Sequence, residues 1–291
     1  MPNTTTSTIP GLSGQPTQPK TWFVTGASRG FGRIWTEVAL KRGDKVAATA
    51  RDATALGDLV ATYGDSILAL SLDVTDRDAV FEAVKQAHLH FGRLDVILCN
   101  AGYGYMGALE EVAAAEAHAN FETNVFGTLS VIQAALPLLR AQGSGHILTL
   151  SSIGGIIGFP TGGIYVATKF AVEGMTEALA GEVAGFGIKV TIVEPGSFAT
   201  GFRSSMKTAP AMAEYEAVRQ AVFSGFKPEM SGDPMATAAA ILKVVDAKDP
   251  PLRLLLGTGP LPMIKTLYEK RLNTWEAWAD VSNAAQGNRA V

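Results

Sequence analysis

The 291-residue chain predicts an α/β fold: a doubly wound, seven-stranded parallel sheet with helices on both faces, in one domain. Three observations predict it. Short apolar runs alternate with longer amphipathic stretches, the pattern of parallel strands joined by helical crossovers. Gly, Asp and Asn cluster just after the apolar runs, where such sheets bind ligands. A composition that is 47% hydrophobic and 18% charged suits a sizeable core and excludes disorder.

Residues 1–19 are rich in Thr, Ser, Pro and Gly and carry no charged side chain, so a flexible tail is expected ahead of a domain over 20–291. The tail lacks the basic start and apolar run of a secretory signal. Thr21 to Thr25 read as a buried first strand, and Arg33 to Leu40 as a helix. Between them lie Gly26, Ala27, Ser28, Arg29, Gly30, Phe31 and Gly32. Glycines between strand and helix permit a tight turn and bring backbone N–H groups close to a diphosphate at the helix N-terminus. The second strand, Lys45 to Ala50, ends against Arg51. An acidic residue near this point holds a ribose 2′-hydroxyl, whereas an Arg accommodates a 2′-phosphate. Arg51, with Arg29 in the glycine loop, therefore favours NADP(H) over NAD(H). Asp52 is read as the cap of the next helix.

A third strand over 66–72 ends at Asp73-Val74, a helix runs from Asp76 to Phe91, and a fourth strand over 94–99 enters Asn100-Ala101-Gly102-Tyr103. His88 and His90 on that helix are read as solvent-facing, and Cys99 as an inert core thiol. A long helix is expected over 113–140, bent near Pro137. Asn124 in its middle is unfavourable unless its amide has work to do. A fifth strand over 145–152 leads through a glycine-rich loop to a helix bearing Tyr165 and Lys169. Four apart, these two lie one turn apart on one face. A lysine ammonium beside a phenol favours the ionised form; near-neutral chemistry asks for a shift of roughly three units, or ~4 kcal/mol. Ser152, thirteen residues before Tyr165, is placed to meet that helix across the loop.

A sixth strand over 188–194 precedes Pro195-Gly196. The segment of about 197–235 is read as a substrate-binding lid: Phe202, Met206, Met212, Tyr215, Phe223 and Phe226 are dense enough to line an apolar site. Tyr103, Tyr105 and Phe159 are read as its facing wall, and Gly225 and Gly232 as hinges. Pro234 opens another helix, 252–256 is the seventh strand, and 260–280 a last helix. Its Trp275 and Trp278 share a face expected to pack against the body.

The net charge of −3 offers no basic stripe for nucleic acid and no polybasic membrane patch. A single cysteine excludes an internal disulfide, and the four histidines lack a metal-ligand spacing, so no metal is expected. A soluble, cytoplasmic, metal-independent protein follows.

Taken together, these residues resemble the short-chain dehydrogenase/reductase family over about residues 20–200, which implies a Rossmann-like fold and hydride transfer to or from a carbonyl or alcohol carbon. Thr25 to Gly32 is similar to its cofactor loop, Asp73-Val74 to its adenine contact and Asn100-Ala101-Gly102 to its sheet-stabilising motif. Asn124, Ser152, Tyr165 and Lys169 are similar to its catalytic tetrad, and Pro195, Gly196, Phe198 and Thr200 to the stretch beside nicotinamide. The resemblance implies that Tyr165 donates the proton, Ser152 binds the carbonyl oxygen, Lys169 lowers the Tyr165 pKa and holds the ribose, and Asn124 orients a water. Tyr103, Ser152, Gly154, Phe159, Tyr165, Phe202 and Met206 are the expected substrate contacts. A homo-dimer or homo-tetramer, through the helices bearing Asn124 and Tyr165, is also implied. The alternatives are an alcohol dehydrogenase working oxidatively and a non-catalytic NADP-binding sensor; the retained Tyr165 and Lys169 weigh against the second.

Overall fold

Each of the seven apolar runs becomes a strand of one parallel sheet in the computed structural model, which describes residues 18–225 and 231–287. All of the expected tail but its last two residues lies outside the described residues, as do Phe226 and the side chain of Phe223. The first strands are β1 (Thr21–Val24), β2 (Lys45–Ala50), β3 (Ile67–Ser71) and β4 (Val96–Cys99). A two-residue strand β5 (Tyr105–Met106) is followed by β6 (Gly145–Leu150), β7 (Ile188–Pro195), the short β8 (Lys207–Thr208) and β9 (Arg253–Leu256). The main sheet runs β3-β2-β1-β4-β6-β7-β9.

The strands are mainly apolar because helices cover both faces. In β1, Trp22 and Val24 point into a layer shared with α1 (Gly30–Arg42) and α8 (Thr237–Asp246), while Phe23 points the other way. That second layer is completed by α3 (Arg77–Phe91), α5 (Gly127–Gln142) and α6 (Gly163–Val183). The polar edges of the buried tryptophans are satisfied: Trp22 Nε1 donates to Asp44 Oδ2 at 2.7 Å and Trp35 Nε1 to Thr237 Oγ1 at 2.8 Å. Asp52 caps the turn Ala53–Leu56 ahead of the short helix α2 (Gly57–Tyr63), and Pro234 sits at a first helical position. Cys99 is buried in β4 as expected.

Strand order reverses between β1 and β4, so their carboxyl ends open a crevice there. The expected helix over 113–140 is three pieces: α4 (Ala114–Phe121), a π turn over Glu122–Phe126 and α5, which carries Pro137. Asn124 lies in the π turn, the kind of local bulge that gathers at functional sites.

Two features depart further from expectation. β5 pairs in parallel with β8, fastening the loop after β4 to the segment after Thr200. That segment continues into α7 (Glu216–Ser224). The C-terminal α9 (Pro260–Ala277) and α10 (Ala279–Ala284) correct the reading of the two tryptophans, which are 61% and 62% exposed. Pro260 is buried and Ile264, Leu267 and Arg271 are half-buried, Arg271 Nη2 reaching the Ile156 carbonyl at 3.2 Å. Past Arg271 both tryptophans stand exposed among the described residues, so periodicity identified a shared face but not a cover for it. His90 is exposed, whereas His88 is half-buried, its helix face being partly covered.

Candidate active site

The crevice starts with the turn between β1 and α1. Gly26 is left-handed (φ +69°), and a Cβ there would lie 3.0 Å from Ala101 Cα. A Cβ on Gly32 would collide with the Gly26 carbonyl oxygen. The turn thus needs glycine at both positions. Thr25 Oγ1 accepts from the backbone N–H of Asn100 and of Ala101, each at 3.0 Å, and Asn100 Nδ2 donates to the carbonyls of Thr25 (2.9 Å) and Gly26 (3.0 Å). Asn100-Ala101 therefore locks the end of β4 to the glycine loop. Arg29 opens α1 in extended conformation without a side-chain cap, which leaves the first helical N–H groups for an anion.

The remaining expected cofactor residues surround this loop. Ser28 is half-buried in the turn, and Thr200 faces Gly30 across the crevice, 4.0 Å from where a Gly30 Cβ would lie. The Arg29 and Arg51 side chains are exposed and have no ion pair among the described residues. Asp73 Oδ1 folds back onto Thr75 N at 3.0 Å, Val74 packs under Gly127, and Gly196 N donates to the Leu256 carbonyl at 3.0 Å. Phe31 stacks on Trp35 (4.9 Å) and meets Phe198 edge-on (5.4 Å), so both phenylalanines wall the crevice by packing into the core. A glycine cradle, open helix N–H groups and nearby guanidinium groups fit a nicotinamide dinucleotide.

The four expected catalytic side chains converge at the next crevice wall. Ser152, just past β6, sets its hydroxyl beside that of Tyr165 and accepts from Gly154 N at 3.1 Å. Gly154 keeps this corner open: a Cβ there would lie 3.5 Å from Ser152 Oγ and 3.3 Å from Phe159 Cε1. One turn along α6, Lys169 Nζ donates to the Leu150 carbonyl at 2.7 Å and lies 5.8 Å from the Tyr165 ring centroid. Asn124 Oδ1 accepts from Tyr103 N, while its Nδ2 donates to the Tyr103 carbonyl and Thr168 Oγ1, each at 3.0 Å. Its amide is committed to tying the loop after β4 to α6. Gly102 lies between them; a Cβ there would come 3.0 Å from Asn124 Oδ1 and 3.8 Å from Lys169 Nζ.

Electrostatics here differ from the expectation for Tyr165. Burial pushes its phenol up to about 12, opposed only by the neighbouring Ser152 hydroxyl, and burial pulls Lys169 down to about 8 against the neighbouring Glu173. In the protein alone desolvation outweighs the lysine, which points its ammonium at a carbonyl instead. Tyr165 is thereby kept protonated.

On the substrate side, Phe202 packs against the Tyr165 ring at 5.6 Å, and Gly104 makes room for both Phe202 and Met206. Phe159 lies over Gly162, and half-buried Tyr103 sits 5.3 Å from the Lys207 ammonium. Tyr105 is buried. Gly232 is no free hinge: it donates to the Ser197 carbonyl at 3.0 Å, accepts from Ala199 N at 2.9 Å and packs under Phe198. Two clusters had no signal in the spacing. Buried Glu111 accepts from Ala108 N and Met212 N, each at 2.7 Å, and pairs with Arg219, anchoring the start of α7. Buried Glu173 and Glu194 share Arg253. Both join residues far apart in sequence.

A nicotinamide-type crevice beside a Ser–Tyr–Lys constellation on a doubly wound sheet defines an oxidoreductase. The short chain dehydrogenase family model matches residues 20–211, and the chain belongs to that family. It is 40% identical over 271 residues to oxidoreductase BOA17 of Botryotinia fuckeliana, covering 91% of this chain and 99% of that one. It is 38% identical over 258 residues to 3-ketodihydrosphingosine reductase of Bacteroides thetaiotaomicron, covering 87% and 92%. A short-chain dehydrogenase from Streptomyces avermitilis superposes with a TM-score of 0.85 at 39% identity, covering 92% of this chain and 98% of that one. ElxO, solved with NADP bound, superposes at 0.70 with 28% identity, covering 84% and 99%.

Proposed function

We propose that the chain is an NADP(H)-dependent carbonyl reductase acting on the ketone or aldehyde of a mainly apolar small molecule. The observation that carries this is the Ser152–Tyr165 hydroxyl pair, with the phenol kept protonated by burial above Lys169. Bound nicotinamide supplies the hydride. Tyr165 gives its proton to the carbonyl oxygen, and Ser152 donates a hydrogen bond where negative charge develops on that oxygen. Lys169 places a positive charge behind the phenol, favouring the phenolate left after transfer. Asn124 holds Tyr103 and α6 in register and continues the polar path behind Lys169.

Arg29 and Arg51 support the NADP(H) preference, and ElxO offers a relative with NADP bound. Phe159, Phe202 and Met206 around Tyr165 support an apolar substrate, as does a relative named for reduction of 3-ketodihydrosphingosine. Phe126 and Phe170, exposed beside Asn124 and Lys169, support a homo-dimer or homo-tetramer. Initial rates of NADPH and NADH oxidation against aliphatic, aromatic and steroid-like ketones and aldehydes test the reading. Turnover of an apolar ketone with NADPH preferred is expected, the preference falling in Arg51→Ala. Preference for NADH overturns the roles of Arg29 and Arg51, and oxidation of alcohols alone overturns the direction.

A further inference from the structure

Behind the tetrad lies a second set of titratable groups that the proposed chemistry does not use. Glu194, the last residue but one of β7, is 0% exposed, and Glu173 lies one turn beyond Lys169 on the same face of α6. Arg253 of β9 faces both: its Nε is 3.3 Å from Glu173 Oε2 and 3.3 Å from Glu194 Oε1, and its Nη2 is 3.0 Å from Glu177 Oε2. Two buried carboxyl groups thus converge on one nitrogen. Ser151, just past β6, closes the set, and Glu173 lies directly under the turn that carries Ser152. A Cβ on Gly155 would come 2.9 Å from Glu173 Oε1 and would strike Ser151 Oγ. The ends of β6 and β7 and the Lys169 helix therefore meet at this cluster. Lys169 lies one turn back on α6, and Arg271 of α9 is engaged with the Ile156 carbonyl.

The charges do not balance if every group is ionised. One guanidinium faces two buried carboxylates, and a third, Glu177, takes part of it from the exposed side. Among the described residues, none of the four oxygens of Glu173 and Glu194, nor Ser151 Oγ, has a well-formed hydrogen bond. Buried acceptors without donors are costly, and two carboxylates at one site do not both ionise readily. A single proton between them removes the excess charge and supplies the missing donor.

We propose that Glu173 and Glu194 form a carboxyl pair that shares one proton near neutral pH and acts as a positioning pair for Lys169. Burial and the neighbouring Glu173 push the Glu194 carboxyl up to about 8, and burial also raises Glu173. Glu173 in turn supports the charge of Lys169, which burial alone weakens. As pH rises and the pair loses its proton, added negative charge one turn from Lys169 helps it to keep its own. The pair thereby extends the alkaline range over which Lys169 stays charged behind Tyr165.

The proposal rests on the reductase reading for its link to turnover but not for the proton itself, so the two are tested apart. Infrared difference spectra of the wild-type protein, stepped from about pH 6 to about pH 9, are expected to lose one buried protonated-carboxyl band. That band should be missing in Glu194→Gln. The pH profile of kcat/KM with NADPH and a turned-over ketone gives the second readout. Glu194→Gln is expected to move its alkaline limb down by about one pH unit, and Glu173→Gln by more, because the surviving charge is then farther from Lys169. Absence of the band in wild type overturns the shared proton, whatever the enzyme reduces. A folded Glu194→Gln whose pH profile superimposes on the wild type overturns the positioning role.

Discussion

Tyr165 shows how one side chain can be prepared for proton donation by its surroundings. A phenol pushed up to about 12 by burial holds its proton at any physiological pH, and its partner Ser152 marks where the accepting oxygen would sit. Removing only the hydroxyl takes away the proposed general acid and leaves the ring packing against Phe202. Tyr165→Phe is therefore expected to lower ketone reduction by about 10²–10⁴-fold. NADPH affinity, followed by fluorescence titration, should change little, because the glycine loop and the two arginines lie on other elements. Loss of NADPH binding in step with activity would show instead that α6 had shifted. The presence of Tyr165, Lys169 and Ser152 was legible in sequence because their spacing is local. The direction of the Tyr165 shift was not, since it depends on how completely neighbouring elements exclude water.

At the scale of elements, Asn124 acts as a fastener. The π turn directs its amide across to Tyr103 and Thr168, so three hydrogen bonds join the loop after β4 to α6. Asn124→Ala leaves those buried partners unsatisfied and should cost about 1–3 kcal/mol in urea unfolding, with kcat falling more than the stability loss explains. A variant as stable as wild type would contradict this role. The segment after Thr200 is fastened differently, through β5–β8 and the Glu111–Arg219 pair. Arg219→Ala strands a buried carboxylate and frees the backbone of Met212, which Arg219 also holds. The expected outcome is a higher KM for apolar ketones with a nearly unchanged KM for NADPH; equal change in both would place the segment over the cofactor. The main strands were legible as apolar runs because both sheet faces are covered. The π turn and the β5–β8 pair were not: one is an extra residue within a helical period, the other two residues long.

Across the whole molecule, buried titratable groups set opposing limits on the pH range of stability. His146, hydrogen-bonded to Thr191 at 2.9 Å, is held neutral by burial, its pKa lowered from 6.5 to about 3. The unfolded chain binds that proton and the folded one does not, so stability falls as pH drops below about 6.5, by roughly 2 kcal/mol at pH 5. Glu194 works the other way. Its folded pKa is raised from 4.5 to about 8, so the folded state keeps a proton that the unfolded chain releases. Stability therefore falls as pH rises from the lower value through the upper one. Neither residue is remarkable in sequence: His146 sits in an apolar run and Glu194 before Pro195, and only the assembled sheet shows both to be enclosed. Together they place the stability maximum between about pH 4.5 and pH 6.5. Thermal unfolding midpoints from about pH 4 to about pH 9 should trace this dome. Glu194→Gln cannot lose the proton and should flatten the alkaline arm, while His146→Gln should flatten the acid arm without moving the other. An alkaline arm that keeps its slope in Glu194→Gln would mean that the folded protein already carries Glu194 ionised, and that Arg253 alone balances the buried pair.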